Sequence, residues 1–186
     1  MDAFQGVDVI GDVHGCSLSL EKLLTRMDYR CDQGVYRHTN RLAIFVGDII
    51  DRGPHIREAV NIIRGMVDAN CAICILGNHE FNAIAYTTVV STPGDELQYL
   101  RHHNQRNNRL IAETLVQYAS YPEQWRSALE WFQTLPIYLD MDLFRVVHAC
   151  WDHEAVNSLR ELNVNCVSEE FMRSCLMQNE KNCSLR

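Results

Sequence analysis

The sequence predicts an α/β fold, a mostly parallel sheet flanked by helices. Short apolar runs alternate with segments of helical periodicity from Val7 to Tyr86, the pattern of successive βαβ units. The runs are continuously apolar rather than alternating, which is the signature of strands buried on both faces of a sheet. Three of them, VDVIGD, LAIFVGD and CAICILGN, end in a glycine followed at once by an oxygen-bearing side chain, at Asp12, Asp48 and Asn78. With 186 residues, 47% of them hydrophobic, the chain is long enough for one sizeable core and is expected to form one main domain.

Taken in order, Val7–Ile10 is a short strand, and CSLSLEKLLTRM after it is an amphipathic helix with Leu20, Leu23, Leu24 and Met27 on one side. GVYRHTNRLAIFVGD gives a short strand, a turn at Thr39–Asn40 and a longer strand over Leu42–Val46. Helical spacing returns over Ile56–Val67, with Val60, Ile63 and Val67 on one face, before the strand Cys71–Leu76 and a helix beginning at Glu80–Tyr86. The region from Thr87 to Leu135 is different. The loop TTVVSTPGD leads into ELQYLRHHNQRNNRLIAETLVQYA, read as helix, and then a helix with Pro122 in its first turn and Trp125, Leu129 and Phe132 on one face. Ile137–Leu139 and Leu143–Val147 are strands joined by a turn at Asp140–Asp142, and Ser168–Met177 is a weak helical stretch. This divides the chain into a domain at 1–165, with a helical insertion over about 95–135, and a polar tail at 166–186.

A formal net charge of −7 argues against nucleic acid or an anionic membrane as a partner recognised through the overall field. No run approaches the roughly 20 apolar residues of a membrane span, and the N-terminus has no basic segment followed by an apolar one, so a cytoplasmic protein is expected. The eight cysteines are then read as reduced thiols. Cys71 and Cys74 lie within a strand run, where a three-residue spacing points their side chains to opposite faces, so packing is expected of them rather than redox or metal chemistry. Packing is also the expectation for Cys16 and Cys150.

Side chains just beyond the carboxyl ends of parallel strands converge on one edge, where open α/β folds bind ligands. The first strand delivers Asp12 and His14, the second Asp48 with Asp51 and Arg52 close behind, the third Asn78 and His79, and a later strand His148. Carboxylate, amide and imidazole donors without thiolates suit Mn²⁺, Fe, Zn²⁺ or Mg²⁺. Two ions sharing Asp48 would activate a water for attack on phosphorus.

GDVHG (11–15), GDIIDRG (47–53) and GNHE (77–80) resemble the three signature blocks of the calcineurin-like metallophosphoesterases, and VVHACW (146–151) resembles their next histidine block. The Asp-Arg-Gly ending points to the branch that holds phosphoprotein phosphatases and symmetrical dinucleoside tetraphosphatases. The resemblance implies an α+β sandwich and two divalent ions, Mn²⁺ first among them. Asp12 and His14 would hold the first ion, Asp48 would bridge, and Asn78 and His148 would hold the second. Arg52, Asn78 and His79 would bind substrate phosphate, with His79 as the acid for the leaving oxygen and Asp51 hydrogen-bonded to it. A further metal-binding histidine in a Gly-His block has no counterpart here, since His153 lies too close to His148. A second phosphate-binding arginine is also unidentified, Arg160 and Arg173 being read as solvated helix residues. The second sheet is therefore expected to be incomplete, as in a truncated chain, leaving an exposed sheet edge through which the protein could oligomerise.

The function expected is hydrolysis of a phosphomonoester or phosphoanhydride, on a phosphorylated small molecule or a phosphoprotein, by a hydroxide bridging the two ions. One alternative is a symmetrical dinucleoside polyphosphate hydrolase, against which the Glu80-Phe81 ending of the third block counts. The other is a non-catalytic metal- or phospholigand-binding module. RHHNQRNNR (101–109) is read as a solvated helix face, with a substrate-steering lid as its second reading.

Overall fold

A computed structural model describes residues 4–90, 97–168 and 170–173. The elements run β1 (Gly6–Ile10), α1 (Ser17–Arg26), β2 (Arg30–Asp32), β3 (Val35–Arg37), β4 (Arg41–Phe45), α2 (Ile56–Asp68), β5 (Ala72–Cys74), α3 (Asn78–Thr87), α4 (Gln105–Tyr118), α5 (Pro122–Phe132), β6 (Tyr138–Asp140), β7 (Arg145–Val147) and α6 (His153–Glu161). β1, β4 and β5 form a parallel sheet in the order β1-β4-β5, and β2–β3 and β6–β7 are separate antiparallel pairs. The architecture is the α/β arrangement expected, with helices flanking the parallel sheet.

The register positions the site. Ile10 pairs with Phe45, and Phe45 with Cys74, so the three strands finish abreast and their following loops emerge at one rim.

The main core lies on the helical side of the sheet. It includes Phe45, Leu24, Ile56, Ile63, Met66, Ile84, Tyr118 and Phe132, and the C-terminal Val167 and Met172 join it. On the other side Ile44, Ile75 and Val146 form a small cluster, closed by Leu139, Met141 and Phe144 from the β6–β7 hairpin. Burial on both faces therefore holds for the central strand β4, whose Leu42–Phe45 are all buried. It does not hold for β1, where Val9 is 60% exposed, because β1 is an edge strand and the two-stranded hairpin is too narrow to cover it.

Other departures have local causes. Leu23 is exposed, at the margin of a stripe that buries only Leu20 and Leu24 fully. α4 begins at Gln105, not near residue 96. Asn104 caps it by accepting the Asn107 N–H, and the segment before it runs back along the chain, with the Val90 N–H donating to Gln98 and the Leu100 N–H to Thr88. β2 is polar and fully exposed, so no hydrophobic pattern announces it. It is set by a tight turn with φ of 50° at Gln33 and 82° at Gly34. α6 is short, lies outside the helices expected, and starts at the Asp152 cap. Cys16 and Cys150 are exposed rather than packed, whereas Cys74 is buried, and six cysteines among the described residues are free thiols. Arg160 is not merely solvated, since it pairs with Asp140. No helix among the described residues is long and apolar enough to cross a membrane. Residues 91–95 of the expected loop, residue 96 of the helix expected after it, 169 and 174–177 of the expected helix at 168–177, and 169 and 174–186 of the expected tail lie outside the described residues.

Candidate metal centre

The loops after β1, β4 and β5 are locked together before any side chain converges. The N–H groups of Val13 and His14 donate to the Asp48 carbonyl, and that of Gly15 to the Ile49 carbonyl. A Cβ on Gly47 would overlap the Gly77 backbone, and a Cβ on Gly77 would overlap Asp48, so these two glycines allow a close approach that another residue would block. His14, Asp48, Asp51 and Arg52 all have positive φ, at 42°, 51°, 68° and 68°. Each is a cost of about 1–3 kcal/mol held by the surroundings, and all four were candidate site residues.

Glu80 supplies much of that hold. It is fully buried, and its carboxylate accepts the backbone N–H groups of Asp48 (2.8 Å), Ile49 (2.8 Å), Ile50 (3.1 Å) and Gly77 (3.2 Å). Burial pushes its carboxyl above the usual carboxylate range, and the donated N–H bonds pull it back. Glu80 stood inside a quoted motif, yet no role was read for it. A glutamate three residues after a glycine that opens a helix is a capping signal, and it could have been read that way.

Around Asp48 the imidazoles are oriented from behind. His14 Nδ1 lies 2.9 Å from the Ile50 carbonyl and His148 Nδ1 2.7 Å from the Val46 carbonyl. A carbonyl can only accept, so each Nδ1 carries a proton and each Nε2 is turned toward the centre. His14 Nε2 is buried with no hydrogen-bond partner and faces Asp12 Oδ2 at 3.7 Å and Asp48 Oδ2 at 3.8 Å. His148 Nε2 faces Asp48 Oδ2 at 3.4 Å and Asn78 Oδ1 at 3.0 Å. Imidazole nitrogens and carboxylate oxygens thus converge on Asp48, an arrangement whose summed negative charge a cation would offset. Two potential ligand groups result, Asp12–Asp48–His148 and His14–Asp48–His79, with Asp48 in both. The donor set fits a pair of divalent ions sharing Asp48.

His79 is held differently. Its Nδ1 lies 2.5 Å from Asp51 Oδ2, and this hydrogen bond raises the histidine's pKa above its ordinary value against the opposing effect of burial. Its Nε2 is 3.9 Å from Asp48 Oδ2 and 3.4 Å from Arg52 Nη2. Asp51 is fixed in turn by the buried Thr114 of α4, whose hydroxyl donates to Asp51 Oδ1 and accepts the Asp51 N–H. Nothing in the sequence pattern signals Thr114, which is 63 residues away.

Asp12, His14, Asp48, Asp51, Arg52, Asn78, His79 and His148 are therefore all brought to one rim. His153 opens α6 beside the Trp151 ring, apart from this cluster.

The profile of the calcineurin-like phosphoesterases matches residues 7–179. The chain belongs to this family. An asymmetrical bis(5'-nucleosyl)-tetraphosphatase PrpE of Oceanobacillus iheyensis is 45% identical over 74 residues, covering 39% of this chain and 30% of the relative. The enzyme of the same name from Halalkalibacterium halodurans is 44% identical over 73 residues, with the same coverage. The aligned stretch thus spans less than a third of these relatives' length. Among solved structures, the cold-active protein-tyrosine phosphatase of a psychrophilic Shewanella is 19% identical with a TM-score of 0.53, covering 91% of this chain and 48% of that one, a likeness of fold.

The relatives' names correct one expectation. The branch is related to tetraphosphatases named asymmetrical, not symmetrical. The Asp-Arg-Gly and Gly-Asn-His blocks build the centre itself, so they carry no information on which bond of a tetraphosphate chain is cut.

Proposed function

We propose that this chain is a divalent-metal-dependent phosphoesterase that hydrolyses a phosphomonoester or phosphoanhydride. The observation that carries the reading is the convergence of His14 Nε2, His148 Nε2, Asn78 Oδ1 and Asp12 on Asp48, with both histidine rings oriented by backbone carbonyls at Nδ1. Asp12, His14, Asp48, Asn78 and His148 would hold two ions, with Mn²⁺ first among the candidates. Bound there, such ions neutralise phosphoryl oxygens and lower the pKa of water.

The protein's own groups supply the rest. The Arg52 guanidinium offers a planar fork to phosphate oxygens beside His79. Asp51 holds the His79 Nδ1 proton and favours the charged ring, so that Nε2 can give a proton to the leaving oxygen. Thr114 keeps the Asp51 carboxylate from rotating away. The relatives' name makes a phosphoanhydride the first substrate class to assay.

Turnover of p-nitrophenyl phosphate and of diadenosine tetraphosphate with added Mn²⁺, together with metal content, tests the reading. Asp48→Asn is predicted to lower turnover by more than about 100-fold, beyond the usual effect of losing a group that only supports a ligand, and to lower metal stoichiometry with it. Wild-type chain that takes up metal yet turns over no phosphate ester or anhydride would make it a binding module instead.

A further inference from the structure

We infer that Arg106 and Arg109, in the first turns of α4, form with Arg52 a second anion subsite that takes the next phosphoryl group of a phosphoanhydride chain. The inference rests on the phosphoesterase reading above and assigns its substrate class: polyphosphorylated molecules over simple monoesters.

Two adjoining cavities carry the argument. A small one, about 180 Å³, opens on Asp51, Asn78 and His79, and its outer wall includes Arg106 and Leu110. A larger one, about 620 Å³, is lined by Arg52, Gln105, Arg106, Arg109, Leu110 and Glu113. Arg106 and Leu110 border both, and Arg52 lies in the wall of the second while its Nη2 reaches His79. An anion in the larger cavity would thus sit one side chain from the phosphoryl position.

The charges there are uncommitted. Among the described residues, neither Arg106 nor Arg109 has a hydrogen-bonded or ion-paired acidic partner, and Arg101 in the wall of the smaller cavity donates to the neutral Asn82 amide. Glu113 is the one carboxylate in the lining, and it accepts from Gln117 Nε2 at 2.7 Å. Gln105 is the first residue of the 14-residue α4, so the positive end of the helix faces the same cavity. Three arginines and a helix N-terminus at one place, in a chain of net charge −7, form a local field that the composition does not suggest.

The position is also rigid. Besides the Thr114–Asp51 bonds, Gln117 accepts the Ile56 N–H at 2.7 Å and donates to the Gly53 carbonyl at 2.9 Å. α4 is therefore pinned to the loop that carries Arg52. Guanidinium groups match phosphate oxygens in a bidentate fork. Successive groups of an anhydride chain are joined by a single oxygen, which suits two cavities sharing a wall. The flanking carboxylates of an acidic phosphopeptide are separated by peptide backbone and suit it less.

The test uses the whole chain and the Arg106→Gln/Arg109→Gln variant, which keeps the helix and removes the charge. Calorimetry in buffer without divalent ions measures inorganic tripolyphosphate and orthophosphate. Kinetics with Mn²⁺ measure kcat/KM for diadenosine tetraphosphate, p-nitrophenyl phosphate and an acidic phosphopeptide. The variant is expected to bind tripolyphosphate at least about tenfold more weakly, as for loss of charge-assisted hydrogen bonds, with a much smaller change for orthophosphate. Its preference for the tetraphosphate over the monoester should fall by a similar factor. Equal losses for both anions, no loss, or a loss as large on the phosphopeptide would overturn the subsite. Arginine-dependent tripolyphosphate binding by a chain without turnover would overturn the hydrolase reading and retain the subsite. Turnover with tripolyphosphate binding independent of the arginines would do the reverse.

Discussion

Glu80 has no exposure to solvent, and both of its carboxylate oxygens face backbone N–H groups of the loops that carry Asp48 and Asn78. A glutamine of the same size can offer one acceptor oxygen, and its amide N–H₂ would confront donors. Glu80→Gln should therefore destabilise the chain by about 2–3 kcal/mol, the range for a buried hydrogen-bonded charge, measured by urea unfolding. It should weaken metal binding too, because Asp48 loses its backbone support while keeping its carboxylate. Unchanged stability with unchanged metal affinity would show that the positive-φ loop holds itself. At this scale the ligand-bearing residues were legible, because Asp, His and Asn after a strand-ending glycine are visible as a pattern. Thr114 was not legible, because its carboxylate partner lies 63 residues away, and for Glu80 the local capping signal points only to Gly77, not to the Asp48–Ile50 N–H groups.

Among the elements, α4 does the most to connect distant parts of the sequence. It belongs to the stretch read as an insertion, yet Thr114 grips Asp51 and Gln117 grips the chain at Gly53 and Ile56. Thr114→Val keeps the shape and removes the hydroxyl. We predict a loss of about 1–3 kcal/mol, since the Asp51 N–H and one carboxylate oxygen lose a buried partner. Turnover should fall by about 10–100-fold, the usual range for a group supporting a site residue, with Thr114→Ser recovering most of both. Loss of stability without a change in rate would remove Thr114 from the positioning role. The three parallel strands and the helices between them followed from continuous apolar runs and 3.6-residue spacing. The start of α4 did not, because Gln98 and Leu100 bond instead to the segment after α3, in a single antiparallel bridge between Val89 and Tyr99.

For the molecule as a whole, the sheet has one well-covered side and one thinly covered side, and β1 stands at its edge. Asp8 ties that edge down. Its carboxylate accepts from Arg41 of β4 through Nε (2.8 Å) and Nη2 (2.5 Å) and from the Tyr29 hydroxyl (2.9 Å). The Arg41 guanidinium holds the Asp8 carboxyl below the usual carboxylate range, against the effect of burial. A depressed pKa in the folded chain adds stability above the unfolded value, near 3.8, and that stability is lost as pH falls through the folded value. Asp8→Asn should therefore lower stability at neutral pH and flatten the fall in stability below about pH 4, read from denaturant midpoints across pH 2–7. Parallel wild-type and variant curves over that range would remove Asp8 from the acid response.

By itself, the sequence determined that this chain forms a parallel α/β sheet whose strands deliver oxygen- and nitrogen-bearing side chains to one rim, because apolar runs and strand-end residues are local properties. Only the tertiary structure decided which atoms face one another. The orientations of the His14 and His148 rings depend on the Ile50 and Val46 carbonyls, and the cavity beside Arg52 depends on a helix that begins more than 50 residues later. Hydrogen bonds and cavities of this kind join groups far apart in the chain, so they exist only once packing has brought the separate elements together.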